Sequence, residues 1–348
     1  MKKWTRRELL PLLGIGIAGG ALMGSQKSES DQQQQLYQAR PRFKTPPKLQ
    51  KGDTIGICAP AGALRRPEEV PEFTAVLNAM GFKVKVGKHV YEKYGYFAGT
   101  DEQRAADFNT FIQDEEVKGI FFLRGGWGCA RILDLLDYEA IQLNRKVIMG
   151  FSDATSLLNV ITQQLGIVTY HGPSGNSTWN AYSKKHIRNV LMSDSLTSFE
   201  NNSSDHEIIT YQSGKASGFL FGGNLSVITS LLGTSYFSFV DGSLLFLEEV
   251  GEEPYRIDRM LTQLKQAGII QKCTGIILGS FRKCTAEEPD RAFTLEEVFE
   301  QHFGSLEIPV FYGAQIGHTV NKFTIPLGVK AEMDADKGSI QLQELSVG

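Results

Sequence analysis

Thr54-Ile55-Gly56-Ile57-Cys58-Ala59 is a short apolar run that ends in a Pro-Ala-Gly turn at residues 60–62. An unbroken apolar run bounded by turn residues is typical of a strand buried on both faces. Similar runs alternate with helical patterns along the first half of the chain. Strand patterns occupy residues 82–86, 119–123 and 146–149, and helical patterns occupy residues 68–80, 101–114, 132–136 and 153–165. This alternation predicts an α/β fold, with a parallel, flavodoxin-like sheet covered by helices on both faces.

The pattern changes in the second half of the chain. Residues 176–212 are rich in Ser and Asn and show little periodicity, which is typical of a connector. Beyond them strands become more prominent. Strand patterns lie at residues 244–247, 276–278 and 340–345, and helical patterns lie at residues 224–232, 257–267 and 295–303. We therefore predict an N-terminal domain at residues 47–175, a connector at 176–212 and a mixed α/β, strand-rich C-terminal domain at 213–348.

The first residues have the layout of an export signal. They read MKKWTRRELLPLLGIGIAGGALMGS, with four basic residues before an uncharged apolar run. The pair Arg6-Arg7 resembles a twin-arginine signal. The alternative is a retained membrane anchor, but the run is shorter than the roughly 20 residues of a spanning helix. We predict an export signal at residues 1–24, a disordered tether at 25–46, a periplasmic location and no stable membrane insertion after cleavage.

Composition narrows the class of protein. The chain has 348 residues, of which 41% are hydrophobic and 22% charged, and its net charge is −3. These values exclude collagen-like, coiled-coil and wholly disordered chains, and without a basic excess we expect no nucleic-acid partner. Four cysteines are too few for a disulfide scaffold and are not spaced like a zinc site. We expect Cys58, Cys129, Cys273 and Cys284 to be buried, with a Cys273–Cys284 disulfide as an alternative, and we expect no cofactor.

The pentapeptide Gly150-Phe151-Ser152-Asp153-Ala154 carries a candidate nucleophile. It lies between an apolar strand pattern and a helical pattern. A serine on such a sharp turn projects its hydroxyl at the top of the sheet, where the first amides of the helix face a developing oxyanion. The fifth residue is Ala154, so the G-x-S-x-G motif is incomplete. The alternative is that Ser152 or Asp153 only caps the helix.

A serine nucleophile needs a base and an acid that orients the base. The chain has six histidines: His89, His171, His186, His206, His302 and His318. His186 and His206 fall in the polar connector and are expected to be exposed, whereas His318 lies on a Gly-flanked loop before a strand pattern. An apolar strand pattern runs into Glu248 and Glu249; we favour Glu248 as the acid and expect Glu249 to be solvated. By spacing alone, many other combinations of a serine, an acid and a histidine remain possible in this chain.

Several ordered motifs match one known family. They are GDTIGICAP at 52–60, AGTDEQRA at 98–105, FLRGGWG at 122–128, GFSD at 150–153, HGP at 171–173, GGNL at 222–225, LEEVGE at 247–252, PYRIDR at 254–259, GH at 317–318 and PLG at 326–328. On these motifs the chain resembles the LD-carboxypeptidases of serine peptidase family S66. That family includes muramoyltetrapeptide carboxypeptidases and microcin C7 self-immunity peptidases. The resemblance runs from about residue 51 to 345.

The resemblance implies roles for individual residues. Ser152 matches the family's nucleophile, Glu248 its acid and His318 its base. The backbone amides of Asp153 and of Gly126, in the Gly125-Gly126 turn, correspond to the oxyanion hole. Family members form homodimers and need no metal.

The resemblance also implies a reaction, the hydrolysis of the amide between the L-centre of a diamino acid and the terminal D-Ala of a peptidoglycan tetrapeptide. Arg124 and Arg256 are candidates for binding the C-terminal carboxylate, with a structural ion pair as the alternative for each. Trp127 replaces a frequent Tyr beside the oxyanion loop, so we expect a different substrate shape there. Two other functions stay open: hydrolysis of another amide such as a peptidyl- or aminoacyl-adenylate, and non-catalytic binding of wall peptides. Well-known members act in the cytoplasm, which is the alternative location.

Overall fold

The computed structural model describes residues 43–201 and 207–348. The predicted export signal, residues 25–42 of the predicted tether, and His206 lie outside the described residues. The last part of the tether is packed: the ring centroid of Phe43 lies 5.2 Å from that of Phe219 and 5.5 Å from that of Phe221. Within the two described ranges, no helix has the length and apolar character needed to cross a bilayer.

Fourteen strands and eight α-helices make up the described chain. In chain order they are β1 (Thr54–Cys58), α1 (Glu69–Ala79), β2 (Lys83–Val86), α2 (Asp101–Gln113), β3 (Val117–Phe122), α3 (Tyr138–Leu143), β4 (Val147–Gly150), α4 (Thr155–Leu165), β5 (Thr169–His171), α5 (Ala181–Leu191), β6 (Ser198–Phe199), β7 (Ile209–Gln212), β8 (Lys215–Asn224), α6 (Leu225–Leu231), β9 (Ser243–Val250), α7 (Pro254–Gln266), β10 (Cys273–Arg282), α8 (Leu295–Phe303), β11 (Val310–Tyr312), β12 (Ile325–Leu327), β13 (Lys330–Asp334) and β14 (Ser339–Leu342). Short 3₁₀ turns span Cys129–Leu135, Ser152–Ala154, Ile270–Lys272 and Pro289–Arg291.

The first sheet is the parallel sheet that the alternating pattern predicts. Its strand order is β2-β1-β3-β4-β5-β12, and β1 to β5 are parallel. The order 2-1-3-4-5 is that of flavodoxin-like folds, so the predicted fold of this half is confirmed. The central strands are buried because helices cover the sheet: β4, for example, has four buried residues in succession.

The second sheet confirms the predicted mixed, strand-rich half. Its order is β6-β14-β13-β8-β9-β10-β11-β7, with β8 to β11 parallel and the outer pairs antiparallel. The stretch 176–212 is more ordered than its composition indicates, since it contains α5 and two edge strands of this sheet, β6 and β7. Asn180 caps α5 by accepting a hydrogen bond from the Ser183 amide. The polar residues read as loop signals therefore begin a helix.

The chain crosses back to the first sheet late in the sequence. After β11 in the second sheet, β12 pairs antiparallel with β5, and Ile325 lies opposite His171. The residues between β11 and β12 include His318. This crossing brings the loop that carries His318 to the carboxyl end of the parallel strands, where sites in such sheets lie.

Gly223 allows the second sheet to lie directly against α4. The Asn159 side-chain amide donates to the Gly222 carbonyl at 2.8 Å, and the Asn224 backbone amide donates to Thr155 Oγ1 at 3.0 Å. Gly223 has a φ of +139°, and a Cβ there would lie 2.5 Å from Thr155 Oγ1. A larger residue at 223 would push β8 away from the helix that follows Ser152.

His186 is buried, so the expectation that it is exposed was wrong. It is 4% exposed and packs between the rings of Tyr182, Phe199 and Phe323, at centroid distances of 4.7, 5.6 and 4.9 Å. It lies on the inner face of α5, which the sequence pattern did not reveal. Burial, with a smaller effect of Lys185, lowers the pKa of His186 to about 4.

We expect His186 to make the fold sensitive to mild acid. In the unfolded chain its imidazole takes up a proton below about pH 6.5, whereas the folded state keeps it neutral down to about pH 4. Stability is therefore complete above pH 6.5 and falls as the pH drops from 6.5 toward 4. Between pH 8 and pH 5, the free energy of unfolding of His186→Phe should fall by roughly 2 kcal/mol less than that of the wild type, as measured by urea unfolding. At pH 8 the imidazole is neutral in both states, so the difference in stability between the two proteins at that pH measures the change in packing alone. An equal loss of stability on acidification in both proteins would contradict the prediction.

Candidate active site

Ser152 lies on a strained turn at the carboxyl end of β4. Its φ is +62°, one of two positive values among the non-glycine residues of the described chain. That conformation costs an L-residue on the order of 1 kcal/mol and persists where surrounding packing enforces it. A Cβ on Gly150 would lie 2.6 Å from the Phe122 ring and 3.0 Å from Ala154 Cβ, so the strand before the turn needs glycine. The structure thus has the sharp strand-to-helix turn that the pentapeptide predicts.

Glu248 and His318 form a hydrogen-bonded pair in which the acid is buried. Glu248, near the end of β9, is fully buried, and its Oε2 lies 2.6 Å from His318 Nδ1. The His318 backbone amide donates to the same oxygen at 3.2 Å. Because an ionised carboxylate only accepts, Nδ1 carries the proton and Nε2 of the neutral ring is left as an acceptor. This tautomer is the one a general base needs.

Gly317 explains why the loop fits over Glu248. Its φ is +90°, and a Cβ there would lie 2.2 Å from Glu248 Oε2. Glycine tolerates this conformation and leaves room for the carboxylate. The Gly-His pair in the sequence therefore reflects a close approach of the backbone to the acid.

The electrostatics of the pair keep Glu248 ionised. Burial alone would raise the pKa of Glu248, but the hydrogen bond and charge of His318, helped by His171, hold that pKa below its usual value. His171 Nε2 lies 4.0 Å from Glu248 Oε1. Burial lowers the pKa of His171 to about 4, even against the attraction of Glu248. His171 is therefore neutral near pH 7, and His318 is the histidine hydrogen-bonded to the acid.

Phe151 links the serine turn to the histidine. Its ring centroid lies 4.9 Å from that of His318 and 6.1 Å from that of His171. Phe151 directly precedes Ser152 in the chain. The structure therefore brings the turn of Ser152, from the first sheet, to the Glu248–His318 pair, from the second.

The Gly125-Gly126 turn lies against Ser152. A Cβ on Gly125 would lie 2.8 Å from Ser152 Cβ, 2.9 Å from its Oγ and 3.3 Å from the Asp153 nitrogen. The Gly62 amide donates to the Gly125 carbonyl at 3.3 Å and supports the turn from behind. This close packing puts the backbone of residues 125 and 126 beside the candidate nucleophile and the start of its helix.

The Asp153 side chain holds this turn in place. Its carboxylate is buried and accepts the Cys129 backbone amide at 2.7 Å. Burial raises the pKa of Asp153, although the bonds from Cys129 oppose the shift. Asp153 therefore ties the loop after Gly126 to the loop of Ser152, while its own amide lies at the start of the 3₁₀ turn.

The three candidates for substrate binding differ in their surroundings. Arg124 is half-buried and donates from Nη1 to the Ala63 carbonyl at 2.5 Å. Trp127, next to Gly126, is 47% exposed. Arg256 is exposed on α7, with its Nε 3.7 Å from a Glu252 carboxylate oxygen and 3.0 Å from the Tyr255 hydroxyl. Arg256 thus forms a surface ion pair, whereas about half of the Trp127 side chain is open to solvent.

Glu249 is buried, so the expectation of a solvated strand end was wrong. It is 2% exposed and accepts hydrogen bonds from the Asn224 side chain and from the backbone amides of Ser226 and Val250, at 3.0, 2.8 and 2.8 Å. The beginning of α6 covers it. The sequence around Glu249 contains no sign of this cover, because it comes from a segment over 20 residues away.

The cysteines are buried and free, including the pair for which a disulfide was the alternative. Cys273 Sγ contacts the Ile269 carbonyl at 3.2 Å and Cys284 Sγ the Arg282 carbonyl at 3.6 Å. Within residues 43–201 and 207–348, no three His, Cys, Asp or Glu side chains cluster so as to hold a metal ion.

Sequence models of two protein-family domains match this chain. The LD-carboxypeptidase N-terminal domain matches residues 55–172, and the LD-carboxypeptidase C-terminal domain matches residues 217–333. The chain belongs to the LD-carboxypeptidase family. As a member of that family, S66 in the peptidase classification, it is a hydrolase.

Individual relatives cover most of this LD-carboxypeptidase family member. A Bacillus subtilis protein named "Probable murein peptide carboxypeptidase" is 36% identical over 85% of this chain and 93% of its own length. The structure of a muramoyltetrapeptide carboxypeptidase from Oxalobacter formigenes has a TM-score of 0.73 at 28% identity, covering 83% of this chain and 97% of that one. The microcin C7 self-immunity protein MccF, solved with aspartyl sulfamoyl adenosine, has a TM-score of 0.81 at 25% identity, covering 88% and 100%.

Sequence reasoning assigned no role to two residues beside the pair. His171 stood in a family motif, HGP, but nothing in its local pattern indicates proximity to Glu248. Lys322 lies four residues after His318 and is 4% exposed. A lysine in a polar loop normally points to solvent, so no sequence signal marks it as buried.

Proposed function

We propose that this LD-carboxypeptidase family member is a serine carboxypeptidase that releases the terminal D-Ala of peptidoglycan tetrapeptides. The scissile bond is the amide between the L-centre of a diamino acid and D-Ala. The observation that carries the proposal is the buried Glu248 bonded to His318 Nδ1, beside the strained turn of Ser152. The names of the murein and muramoyltetrapeptide relatives support the substrate class.

The mechanism follows from these groups. His318 Nε2 takes the proton of Ser152 Oγ as the oxygen attacks the carbonyl carbon, and Glu248 stabilises the resulting imidazolium. The amides of Asp153 and Gly126 donate to the oxyanion, each lowering the barrier by roughly 3–4 kcal/mol. The intermediate then expels D-Ala, whose amine takes the proton from His318. Water, deprotonated by His318, then attacks the acyl-serine. The bond to Ser152 Oγ breaks, Oγ takes the proton from His318, and the shortened peptide leaves as the free acid.

A second candidate is hydrolysis of an aminoacyl-adenylate. The structural similarity to MccF in complex with aspartyl sulfamoyl adenosine favours it. The same serine, base and oxyanion groups would serve, because both reactions are acyl transfers to water. The two functions differ in the leaving group, so substrate comparison separates them.

The deciding experiment is mass spectrometry of a meso-diaminopimelate tetrapeptide incubated with the protein. We expect the loss of one D-Ala and no further shortening. In a parallel reaction, an aminoacyl sulfamoyl adenosine should stay intact. Cleavage of the sulfamoyl compound alone would favour the second candidate, and tight peptide binding without turnover would favour a wall-peptide binding protein.

We further propose that the protein is exported and acts beside the cell wall as a homodimer. The basic pair and apolar run of residues 1–24 support export, and the resemblance to S66 peptidases supports the dimer. Fractionation of cells that carry the full chain should find it in the periplasm, and sedimentation should give twice the chain mass. Recovery in the cytoplasm would contradict export, and a monomer in sedimentation would contradict the homodimer.

A further inference from the structure

Lys322 occupies a fixed position in the loop between His318 and β12. Its backbone amide donates to Ser183 Oγ at 3.2 Å, and the next amide, of Phe323, donates to the Gln315 carbonyl at 2.7 Å. These bonds attach the loop to α5 and to its own beginning. The side chain is therefore directed inward by backbone contacts and is 4% exposed.

The ammonium of Lys322 lies at the active site without a bonded carboxylate. Its Nζ is 4.3 Å from the centroid of the Phe151 ring and 3.5 Å from Ser177 Oγ. Within the described chain, no Asp or Glu oxygen forms an ion pair with it at 4.0 Å or less. Burial lowers its pKa to about 8, although Glu248 attracts the charge, so most of the population is charged at pH 7. Burying a charge with so few hydrogen-bond partners costs free energy, unless an anionic ligand pairs with it.

The site proposed above offers a matching anion. Three covalent bonds separate the scissile carbonyl carbon from the terminal carboxylate carbon, a span of at most about 4.3 Å. The ammonium of Lys322 lies over the ring of Phe151, and Phe151 directly precedes Ser152 in the chain. The ammonium therefore lies beside the residue that precedes the candidate nucleophile, which places a cation next to the serine turn.

We propose that Lys322 binds the C-terminal carboxylate of the substrate and so restricts the enzyme to removing a single terminal residue. The inference rests on the proposed function. Arg124 and Arg256 fit this role less well, because Arg124 is bonded to the Ala63 carbonyl and Arg256 is an exposed residue paired with Glu252. Ser177, which contacts the ammonium, also lines an open cleft of about 350 Å³.

The test compares two substrates, the tetrapeptide acid and the same peptide ending in D-alaninamide. We expect the wild type to prefer the acid by about 10- to 100-fold in kcat/KM, the range for a hydrogen bond to a charged group. Lys322→Met should lower kcat/KM for the acid by that factor, mainly through KM, and change the amide by less than about twofold. Lys322→Arg should keep much of the preference. Lys272→Met, which removes a surface lysine paired with Asp241, is the matched control and should change neither.

Each result decides between the claims. Equal losses on both substrates in Lys322→Met would assign Lys322 a structural role and overturn the inference. A wild type that cleaves acid and amide equally would overturn the inference alone, whereas one that cleaves neither would overturn the proposed function as well. A measurement on the wild type avoids any folding defect of the variants: free D-Ala should inhibit cleavage of the acid, and D-alaninamide should inhibit it at least tenfold less. Equal inhibition would contradict carboxylate binding.

Discussion

Ser152→Ala is expected to release no detectable D-Ala, with kcat reduced by about 10⁴-fold or more. The substitution removes the only atom proposed to attack the carbonyl carbon and leaves the backbone turn intact. Substrate binding does not use Oγ in this mechanism, so the dissociation constant of the tetrapeptide should stay within about threefold. Release of D-Ala by mass spectrometry and peptide binding by calorimetry measure the two effects.

Ser152→Gly provides a matched control, because Ser152 has a φ of +62°. Alanine keeps the strain of the left-handed conformation and glycine removes it. Both variants should be inactive, but Ser152→Gly should be more stable than Ser152→Ala by about 1 kcal/mol in urea unfolding. Substantial D-Ala release by either variant would exclude Ser152 as the nucleophile.

Glu248→Gln is expected to lower kcat by about 10⁴-fold at nearly constant KM. A glutamine whose amide nitrogen takes the place of Oε2 gives up the hydrogen bond from the His318 backbone amide and donates to His318 Nδ1, which moves the ring proton to Nε2. The ring then presents a donor to Ser152 where the mechanism needs an acceptor. Nitrogen NMR of labelled histidine should report the change from the Nδ1-H to the Nε2-H tautomer.

Glu249→Gln is the control for burying an amide at the end of β9. Glu249 is also buried and bonded, but its partners are Asn224, Ser226 and Val250 rather than His318. We expect it to change stability and to leave the tautomer of His318 and kcat within about twofold of wild type. If Glu248→Gln retains more than a tenth of the activity, the acid is not Glu248.

The first sheet and the serine turn could be predicted because their signals are local. Buried parallel strands need continuous apolar runs, and a sharp turn at a strand end needs small residues such as Gly150 and Ala154. The alternation of runs and helical patterns, with right-handed crossovers, is sufficient to give a parallel sheet covered by helices on both faces. Pairing Ser152 with Glu248 and His318, by contrast, came from the family resemblance, since spacing alone left many triples open.

The remaining features depend on contacts between distant segments. Glu249 and His186 are polar residues whose burial is decided by what covers them, and neither cover lies near them in the sequence pattern. Helix α5 was not predicted, because the polar residues at its beginning resemble those of a loop. Lys322 is a lysine in a polar loop, which normally indicates exposure. Its inward direction follows from the hydrogen bonds that the backbone amides of residues 322 and 323 donate to Ser183 and Gln315. Local patterns contain no information on such contacts.

The strand β12 means that the two halves are not independent modules. It lies on the edge of the first sheet against β5, yet it is made from chain that follows β11 of the second sheet. A gene cut in the stretch 176–212 would produce an N-terminal fragment with the β5 edge bare, a template for aggregation. Co-produced fragments should therefore regain activity only by complementation, in which β12 of the C-terminal fragment pairs with β5 of the N-terminal fragment.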